Sequence, residues 1–180
     1  MSGELSERDN AILNCIFNPN LPLEEAASIS EEQLEDKENL STDQEHTKKL
    51  EIESVQLAEN GNLTEALSII NKAIEIAPQR PSLYNNRAHI FQYLRKFDDA
   101  FKDVNKAIEL CSETHQKTLS LAHCQRGVLY RKFEKNDLAR SDFEVSAKMG
   151  NTFSRKQLVE LNPYAALCNQ MLRQVMDKLK

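Results

Sequence analysis

The sequence feature that most constrains the fold is a unit that recurs along the chain. The segments 61–80 and 95–114 align without a gap at an offset of 34 residues, which places Ala66 opposite Ala100. A third copy over 135–151 follows at an offset of 39 residues. Repeats of this length are typical of stacked helical hairpins, because a single hairpin cannot bury both of its faces.

Small residues within the repeat predict where paired helices touch. Antiparallel helices approach most closely where side chains are smallest, and a bulky residue beside each small one fills the remaining space. The expected close contacts lie at Ala66, Ala100 and Ala139 and, further along each second helix, at Ala73, Ala107 and Ala147. The expected bulky neighbours are Ile70, Val104 and Phe143.

We therefore predict an all-α fold, in which three tandem helical hairpins form a short right-handed α-solenoid. A C-terminal capping helix follows the array, and a mostly disordered acidic arm precedes it. The predicted segments are 1–23 for a short apolar motif, 24–46 for an acidic flexible linker, 47–80, 81–114 and 120–153 for the three repeats, and 154–180 for the capping helices. Extra residues around 115–119 should lengthen a helix or loop between the second and third units.

Turn and cap signals mark the ends of the predicted helices. Gly61 and Gly150 can adopt the positive backbone angles with which many helices end. Asp98 and Asn136 are candidate caps for the second helices of their hairpins, and Ser154 is a candidate cap for a short helix after the array.

Charge is concentrated ahead of the repeats. Residues 24–45 hold nine acids against Lys37 alone, whereas the chain from residue 47 onward has a small positive surplus. That surplus is too dispersed for the basic stripe that nucleic-acid binding needs. No apolar run approaches the ~20 residues of a membrane span, and the N-terminus lacks the pattern of a signal peptide. We expect a cytoplasmic protein, with the nucleus as an alternative, that binds neither nucleic acid nor membrane.

No pattern in the sequence indicates catalysis or a cofactor. The cysteines are widely spaced and form no Cys-x-x-Cys pair, so we interpret them as reduced thiols; they are Cys15, Cys111, Cys124 and Cys168. A Gly-rich phosphate loop, a Gly-x-Ser-x-Gly motif and a His-Glu-x-x-His motif are all lacking. We expect no catalytic residue, no metal and no cofactor.

Apolar stripes at the two ends lie outside the repeats. The N-terminal stripe consists of Ile12, Leu13, Ile16 and Phe17. It either folds back onto the repeats or docks on a partner or a second copy of the chain, because an exposed apolar stripe is costly in water. The C-terminal stripe consists of Leu167, Met171, Leu172, Val175, Met176 and Leu179, and it either covers the last hairpin or docks on a partner.

These residues resemble tetratricopeptide repeats. The period, Tyr84 in the bulky aromatic slot, Pro78 at the end of the first unit and Gly127 in a small slot all match that pattern, whereas Leu50 and His123 depart from it. The segments IFNP, YNNRA and QLVELNPYAALCN, together with the acidic spacer, resemble the small family of tetratricopeptide repeat protein 36 over nearly the full chain. That family is also described as binding the 70-kDa heat-shock chaperone.

The resemblance implies a groove in which the first helices of the hairpins hold a peptide. The groove contacts that we predict are Asn85, Asn86, His89, Tyr93, Gln125 and Arg131. Chaperone-binding relatives grip a C-terminal carboxylate with two Lys, two Asn and one Arg. In those slots only Asn86 matches, whereas the other slots hold Glu51, Val55, Leu121 and Gln125. If the chaperone is a partner, it should therefore use a surface other than such a clamp.

The predicted function is a non-catalytic protein-interaction scaffold, specifically a monomeric chaperone-associated adaptor or co-chaperone. The alternative is a protective or structural partner of one client protein, which would shield the client from degradation or support cilium assembly. Arg87 and Arg126 occupy equivalent slots, and we expect them to pair with acids on adjacent helices, with the groove edge as their alternative position.

Overall fold

The computed structural model describes residues 35–36, 42–162, 164 and 171, and its regular secondary structure is helical throughout this part of the chain. Seven helices follow one another along the described residues. They are α1 (Thr42–Glu59), α2 (Leu63–Ile76), α3 (Pro81–Tyr93), α4 (Phe97–Leu110), α5 (Gln116–Lys132), α6 (Asn136–Lys148) and α7 (Thr152–Leu161). The all-α solenoid predicted from the repeat is confirmed.

The helices pack as three successive hairpins. The closest pairings are α1 with α2, α3 with α4, and α5 with α6, and each hairpin also packs against the next. Helix α7 packs on α6, and the Arg140 guanidinium ties the two by donating to the Leu161 carbonyl at 2.9 Å. The extra residues between the second and third units lengthen a helix, since α5 has 17 residues where α3 has 13.

The predicted small and bulky slots form the core. Ala66, Ala100 and Ala139 are fully buried, as are Ile70, Val104 and Phe143, together with Ala73 and Ala107 further along the second helices. The match of Ala147 to Ala107 was wrong by one position. Ser146 stands 39 residues after Ala107 and is fully buried, while Ala147 beside it is 9% exposed.

The third hairpin contains a close helix crossing at Gly127. A Cβ atom placed on Gly127 would lie 2.7 Å from Phe143 Cε1, closer than carbon atoms pack. The equivalent positions of the second hairpin hold Ala88 and Val104, which share one buried cluster. A larger residue on the second helix is thus matched by a smaller one on the first.

The turns inside the hairpins share one backbone conformation. Gly61, Arg95 and Glu134 have positive φ angles of 85°, 59° and 59°. In each turn the next amide donates to the carbonyl five residues earlier, at 2.8, 2.8 and 3.0 Å. This is the arrangement with which many helices end, and it satisfies carbonyls that the helix leaves open. Only the first of these turns has the glycine that identified it in the sequence.

The predicted side-chain caps were wrong for three helices. The N-caps of α4 and α6 are Lys96 and Lys135, which make no side-chain cap hydrogen bond, and Asp98 and Asn136 lie inside the first turns. Helix α7 is capped by Asn151, whose Oδ1 accepts from the Ser154 amide at 2.9 Å. Ser154 is buried instead of capping, because the N-cap of α7 lies three residues earlier than the sequence suggested.

The ends of the chain are described only in part. The N-terminal stripe of Ile12, Leu13, Ile16 and Phe17 lies outside the described residues, so neither of its two alternatives is decided. Helix α1 begins at Thr42, inside the segment predicted as linker. Of the C-terminal stripe only Met171 is described, and it is exposed. No helix in the described part of the chain is long and apolar enough to cross a membrane.

Candidate functional site

A cleft opens across the first helices of the three hairpins. It has a volume of about 570 Å³. Its walls are formed by Lys48, Glu51, Ile52, Val55 and Gln56 of α1, Ser82, Asn85 and Asn86 of α3 with Arg80 before it, Lys117, Thr118 and Leu121 of α5, and Glu35 and Asp36 of the acidic arm. Helix faces that sequence analysis assigned to a groove therefore meet in one place.

Glu51 places a buried negative charge on one side of this cleft. Its carboxylate lies 3.0 Å from the Arg80 guanidinium and accepts a hydrogen bond from Asn86 Nδ2 at 2.8 Å. Asn86 is the only residue that matched the carboxylate clamp, and its amide is directed at the chain's own carboxylate. The structure thus supplies a physical reason why Asn86 would not grip a ligand carboxylate, because its amide already donates to Glu51.

Asp36 occupies the other side of the cleft. Its Oδ1 accepts hydrogen bonds from the Lys117 and Thr118 amides at 2.9 and 3.1 Å, and its Oδ2 accepts from the Thr118 hydroxyl. Asp36 therefore satisfies amides in the first turn of α5, as an N-cap would. Asp36 was not predicted as a site residue. The signal in the sequence was the residue before α5, His115, which is not one of the residue types that usually cap a helix.

The predicted contacts on α3 are split between the cleft and an adjoining aromatic pair. Asn85 and Asn86 line the cleft. His89 and Tyr93 lie further along the helix with ring centroids 5.0 Å apart, and Tyr93 is 56% exposed. Desolvation lowers the pKa of His89 below its ordinary value of 6.5, so the ring is predominantly neutral at pH 7.

The predicted contacts on α5 hold helices together. With its amide oriented to satisfy its neighbours, Gln125 donates to Asn85 Oδ1 at 2.7 Å and accepts from Gln92 Nε2 at 2.9 Å. Arg131 lies 2.8 Å from the Glu160 carboxylate of α7. Both side chains therefore link helices, and their proposed contact with a ligand stays a prediction.

Two arginines pair with buried acids, as predicted from their equivalent slots. Arg87 contacts both oxygens of Asp103 at 2.7 and 2.8 Å, and donates to Asn71 of the preceding hairpin at 2.9 Å. Hydrogen bonding to Asp103, the largest cause, raises the pKa of Arg87 above its ordinary value. This residue links three helices and two repeats.

The next repeat contains the same arrangement. Arg126 contacts both oxygens of Asp142 and donates to Asn105, each at 2.8 Å, and His123 adds a 2.8 Å hydrogen bond to Asp142. Burial by itself would raise the pKa of Asp142, but the hydrogen bonds from Arg126 and His123 outweigh it, and the pKa falls below 3.8. The carboxylate is therefore charged under all ordinary conditions.

The described cysteines have thiol pKa values above the ordinary one. Burial, assisted by the charge of Asp36, raises the pKa of Cys111 from 9.0 to about 11. Burial also raises the pKa of Cys124, against a smaller opposing effect of Ser154. Since the thiolate is the nucleophile, both groups are poorly suited to covalent chemistry at neutral pH. Among the described residues, no three His, Cys, Asp or Glu side chains form a cluster that could hold a metal ion.

Comparison with known proteins places this chain in a family. The tetratricopeptide repeat model matches residues 57–80 and 81–114. Tetratricopeptide repeat protein 36 homolog of Drosophila melanogaster is 43% identical over 180 residues, which cover 98% of this chain and 96% of that protein.

Solved structures with the same fold include domains that bind chaperone peptides. The first tetratricopeptide domain of Spaghetti (RPAP3), bound to the HSP90 peptide SRMEEVD, has a TM-score of 0.58 at 23% identity and covers 68% of this chain and 94% of its own. The second domain of human RPAP3, in complex with the HSP70 peptide SGPTIEEVD, has a TM-score of 0.56 at 21% identity and covers 66% and 97%. At this identity the likeness shows the fold alone.

Proposed function

Because the chain belongs to the family of tetratricopeptide repeat protein 36, we propose that it is a non-catalytic, chaperone-associated adaptor that holds a protein partner in the cleft between α1, α3 and α5. The family and the fold identify the chain as a protein-interaction scaffold of tetratricopeptide repeats. The adaptor role, a monomeric state and a cytoplasmic location are parts of the proposal.

The composition of the cleft is the observation that carries this proposal. Ile52 and Leu121 are large apolar residues that remain 50% and 43% exposed at its walls. They stand beside charged and amide side chains that can orient a polypeptide. Apolar anchors surrounded by a polar rim are typical of protein-binding surfaces.

The position of Glu51 bears on how a chaperone would be bound. In this cleft Glu51 stands in the slot of a clamp lysine, paired with Arg80 and hydrogen-bonded by Asn86. A chaperone whose last residues are Glu-Glu-Val-Asp would meet Glu51 in place of that lysine, with the Asn86 amide already engaged. The proposal therefore includes chaperone contact that does not depend on the chaperone's C-terminus.

A pull-down with two forms of the 70-kDa chaperone tests this. The full-length chain should retain the intact chaperone and a form lacking its last four residues equally well. Retention of the intact form alone would show that a terminal clamp operates after all. Retention of neither form would remove the chaperone from the proposal.

A matched pair of variants tests whether the cleft is the binding surface. Leu121→Asp removes an apolar anchor from the cleft, whereas Leu138→Asp changes a residue of similar exposure, 49%, on α6. We expect Leu121→Asp to weaken partner binding by about tenfold or more, as for an interface anchor, and Leu138→Asp to leave it unchanged. Equal effects of the two variants would place the partner on a different face.

A further inference from the structure

The first turn of α5 binds a carboxylate that comes from a distant part of the chain. Three donors converge on Asp36, namely the amides of Lys117 and Thr118 and the Thr118 hydroxyl. Thr118 is 4% exposed, and its hydroxyl is directed at Asp36 in the cleft. Helix amino ends attract anions through their open amides and the helix dipole. Asp36, 81 residues away in sequence from Lys117, is thus held like a ligand at an anion-binding helix end.

The charges that line the cleft show what would replace this ligand. Among the described residues that line the cleft, the acids Glu35, Asp36 and Glu51 balance the cations Lys48, Arg80 and Lys117. Without Glu35 and Asp36, this described lining would hold three cations and one acid, Glu51. It would then carry a positive surplus. Such a surface favours a ligand with acidic side chains.

We propose that the amino end of α5 is a carboxylate-binding subsite of the cleft, that Asp36 is its intramolecular ligand, and that an internal acidic segment of a protein partner binds there by displacing Asp36. This inference rests on the proposed function, because it names the chemistry of the partner for the same cleft. The acidic side chains of the segment, and not a chain terminus, supply the carboxylate, as Asp36 itself does.

Because Asp36 competes with the ligand for the same subsite, the effect of removing Asp36 on ligand affinity can be estimated. A ligand that binds only the arm-free form has its apparent affinity reduced by the fraction of molecules in that form. If fewer than about one molecule in ten is arm-free, removing the Asp36 carboxylate strengthens binding by about tenfold or more. A residue that served only as a helix cap would lower stability on removal without creating a binding site.

The experiment uses full-length chains and the chain's own arm as the probe. A fluorescent peptide with the sequence of residues 31–41, EEQLEDKENLS, is acetylated and amidated so that its only carboxylates are side chains. Its affinity for the parent chain is compared with that for Asp36→Ala. Glu45→Ala, an exposed acid of α1, is the control with the same change of charge.

We expect Asp36→Ala to bind the peptide about tenfold more tightly than the parent or Glu45→Ala. A peptide carrying Asp36→Asn should bind to none of the three chains. Adding Thr118→Val, which removes one donor at nearly constant shape, should weaken binding to the Asp36→Ala chain. Equal affinity of the parent and Asp36→Ala would overturn the proposal, and so would the absence of binding to every chain. A lower melting temperature of Asp36→Ala without peptide binding would leave Asp36 as a cap only.

Cys111 reports independently on the docked position of Asp36. Because the charge of Asp36 contributes to the raised pKa of Cys111, Asp36→Ala should speed alkylation of Cys111 by iodoacetamide at mildly alkaline pH. Peptide mass spectrometry separates this thiol from Cys124, whose rate should not change. An unchanged rate at Cys111 would contradict the docked arm. Neither measurement needs a partner protein, so failure here leaves the chaperone pull-down and the Leu121→Asp comparison to decide the proposed function separately.

Discussion

At the scale of single residues, the repeats are joined by arginines, each of which donates two guanidinium N–H groups to a buried carboxylate. Asp103 and Asp142 are 6% and 4% exposed, and a carboxylate at such a depth is tolerable only when it is paired and hydrogen-bonded. Each arginine meets that need with two short bonds and uses a further N–H to reach the preceding hairpin. The acids are therefore structural residues rather than groups available to a ligand.

Asp142→Asn tests the energetic importance of this pairing. The amide removes the charge and one acceptor while keeping the shape, so we expect a loss of about 2 to 3 kcal/mol in the free energy of unfolding at pH 7. Asp137→Asn, an exposed residue in the first turn of the same helix, should change it by less than about 0.5 kcal/mol. Urea unfolding measures both.

The same pair has a definite pH dependence. The folded pKa of Asp142 lies below its ordinary value of 3.8, so the charged pairing contributes its full stability above that ordinary value. The contribution is lost as the pH falls through the lower folded pKa. The difference between the parent and Asp142→Asn should therefore shrink between about pH 4 and pH 2. A difference that stayed constant down to acid pH would show that the charge of Asp142 contributes nothing.

Sequence reasoning found these arginines but missed Asp36, and the reason is physical. Arg87 and Arg126 recur at one position of a repeating unit, so the repeat itself indicates that both do the same thing. Asp36 stands among many similar acids, and its partners lie 81 residues away, beyond the first two repeats. A repeat pattern also shows on which face of a helix a residue lies. It does not show which neighbouring side chain forms a hydrogen bond with that residue. For that reason the hydrogen bonds of Gln125 to α3 were not predicted, while its contact with a ligand stays a prediction.

At the scale of helices, hairpin geometry overrides local residue preference. The repeat requires a left-handed residue in each turn, and Arg95 and Glu134 adopt it although side chains disfavour it by roughly 1–2 kcal/mol. The close crossing of α5 with α6 likewise requires Gly127 in the middle of a helix, where glycine costs roughly 1 kcal/mol relative to alanine. Packing of the hairpin compensates these local costs. The spacing of small residues made the core predictable, whereas the turn conformations were visible only where a glycine marked them.

Gly127→Ala should destabilise the protein even though alanine favours the helix. The new methyl group would lie 2.7 Å from a ring carbon of the fully buried Phe143. We expect a net loss of about 1 to 2 kcal/mol in the free energy of unfolding, because overpacking outweighs the gain in helix propensity. Thermal or urea unfolding measures the change, with exposed Ser141→Ala on α6 as the control.

A second variant makes this test specific to the contact. Phe143→Val reproduces the pairing of the second hairpin, where Ala88 meets Val104. In that background Gly127→Ala should become stabilising, because the methyl group then fills space that the ring has left. The decisive result is the reversed sign of the change in unfolding free energy, since the effects of substitutions at two residues in direct contact are not additive. If Gly127→Ala costs the same in both backgrounds, Phe143 is not what requires the glycine.

At the scale of the whole molecule, stability and binding depend on contacts between neighbouring hairpins. Each hairpin packs against the next, and the arginines join adjacent repeats by single hydrogen bonds to Asn71 and Asn105. In such arrays stability is approximately a sum of repeat terms and nearest-neighbour terms. The cleft is built from all three first helices. Opening of a terminal hairpin would therefore remove one wall of the binding site.

Weakening one junction at a time should loosen the end of the array that it holds. Asn71→Ala removes the acceptor between the first and second hairpins, and Asn105→Ala removes the equivalent acceptor between the second and third. Losing a hydrogen bond to a charged group costs about 1.5 to 3 kcal/mol, and a nearest-neighbour array passes that loss to the terminal repeat. In native-state hydrogen exchange, Asn71→Ala should therefore speed exchange mainly in α1 and α2, and Asn105→Ala mainly in α5, α6 and α7.

Each variant is the control for the other, because the chemical change is identical and only the junction differs. Uniform acceleration over all seven described helices in either variant would mean that the hairpins unfold as one unit and that the junctions do not act separately.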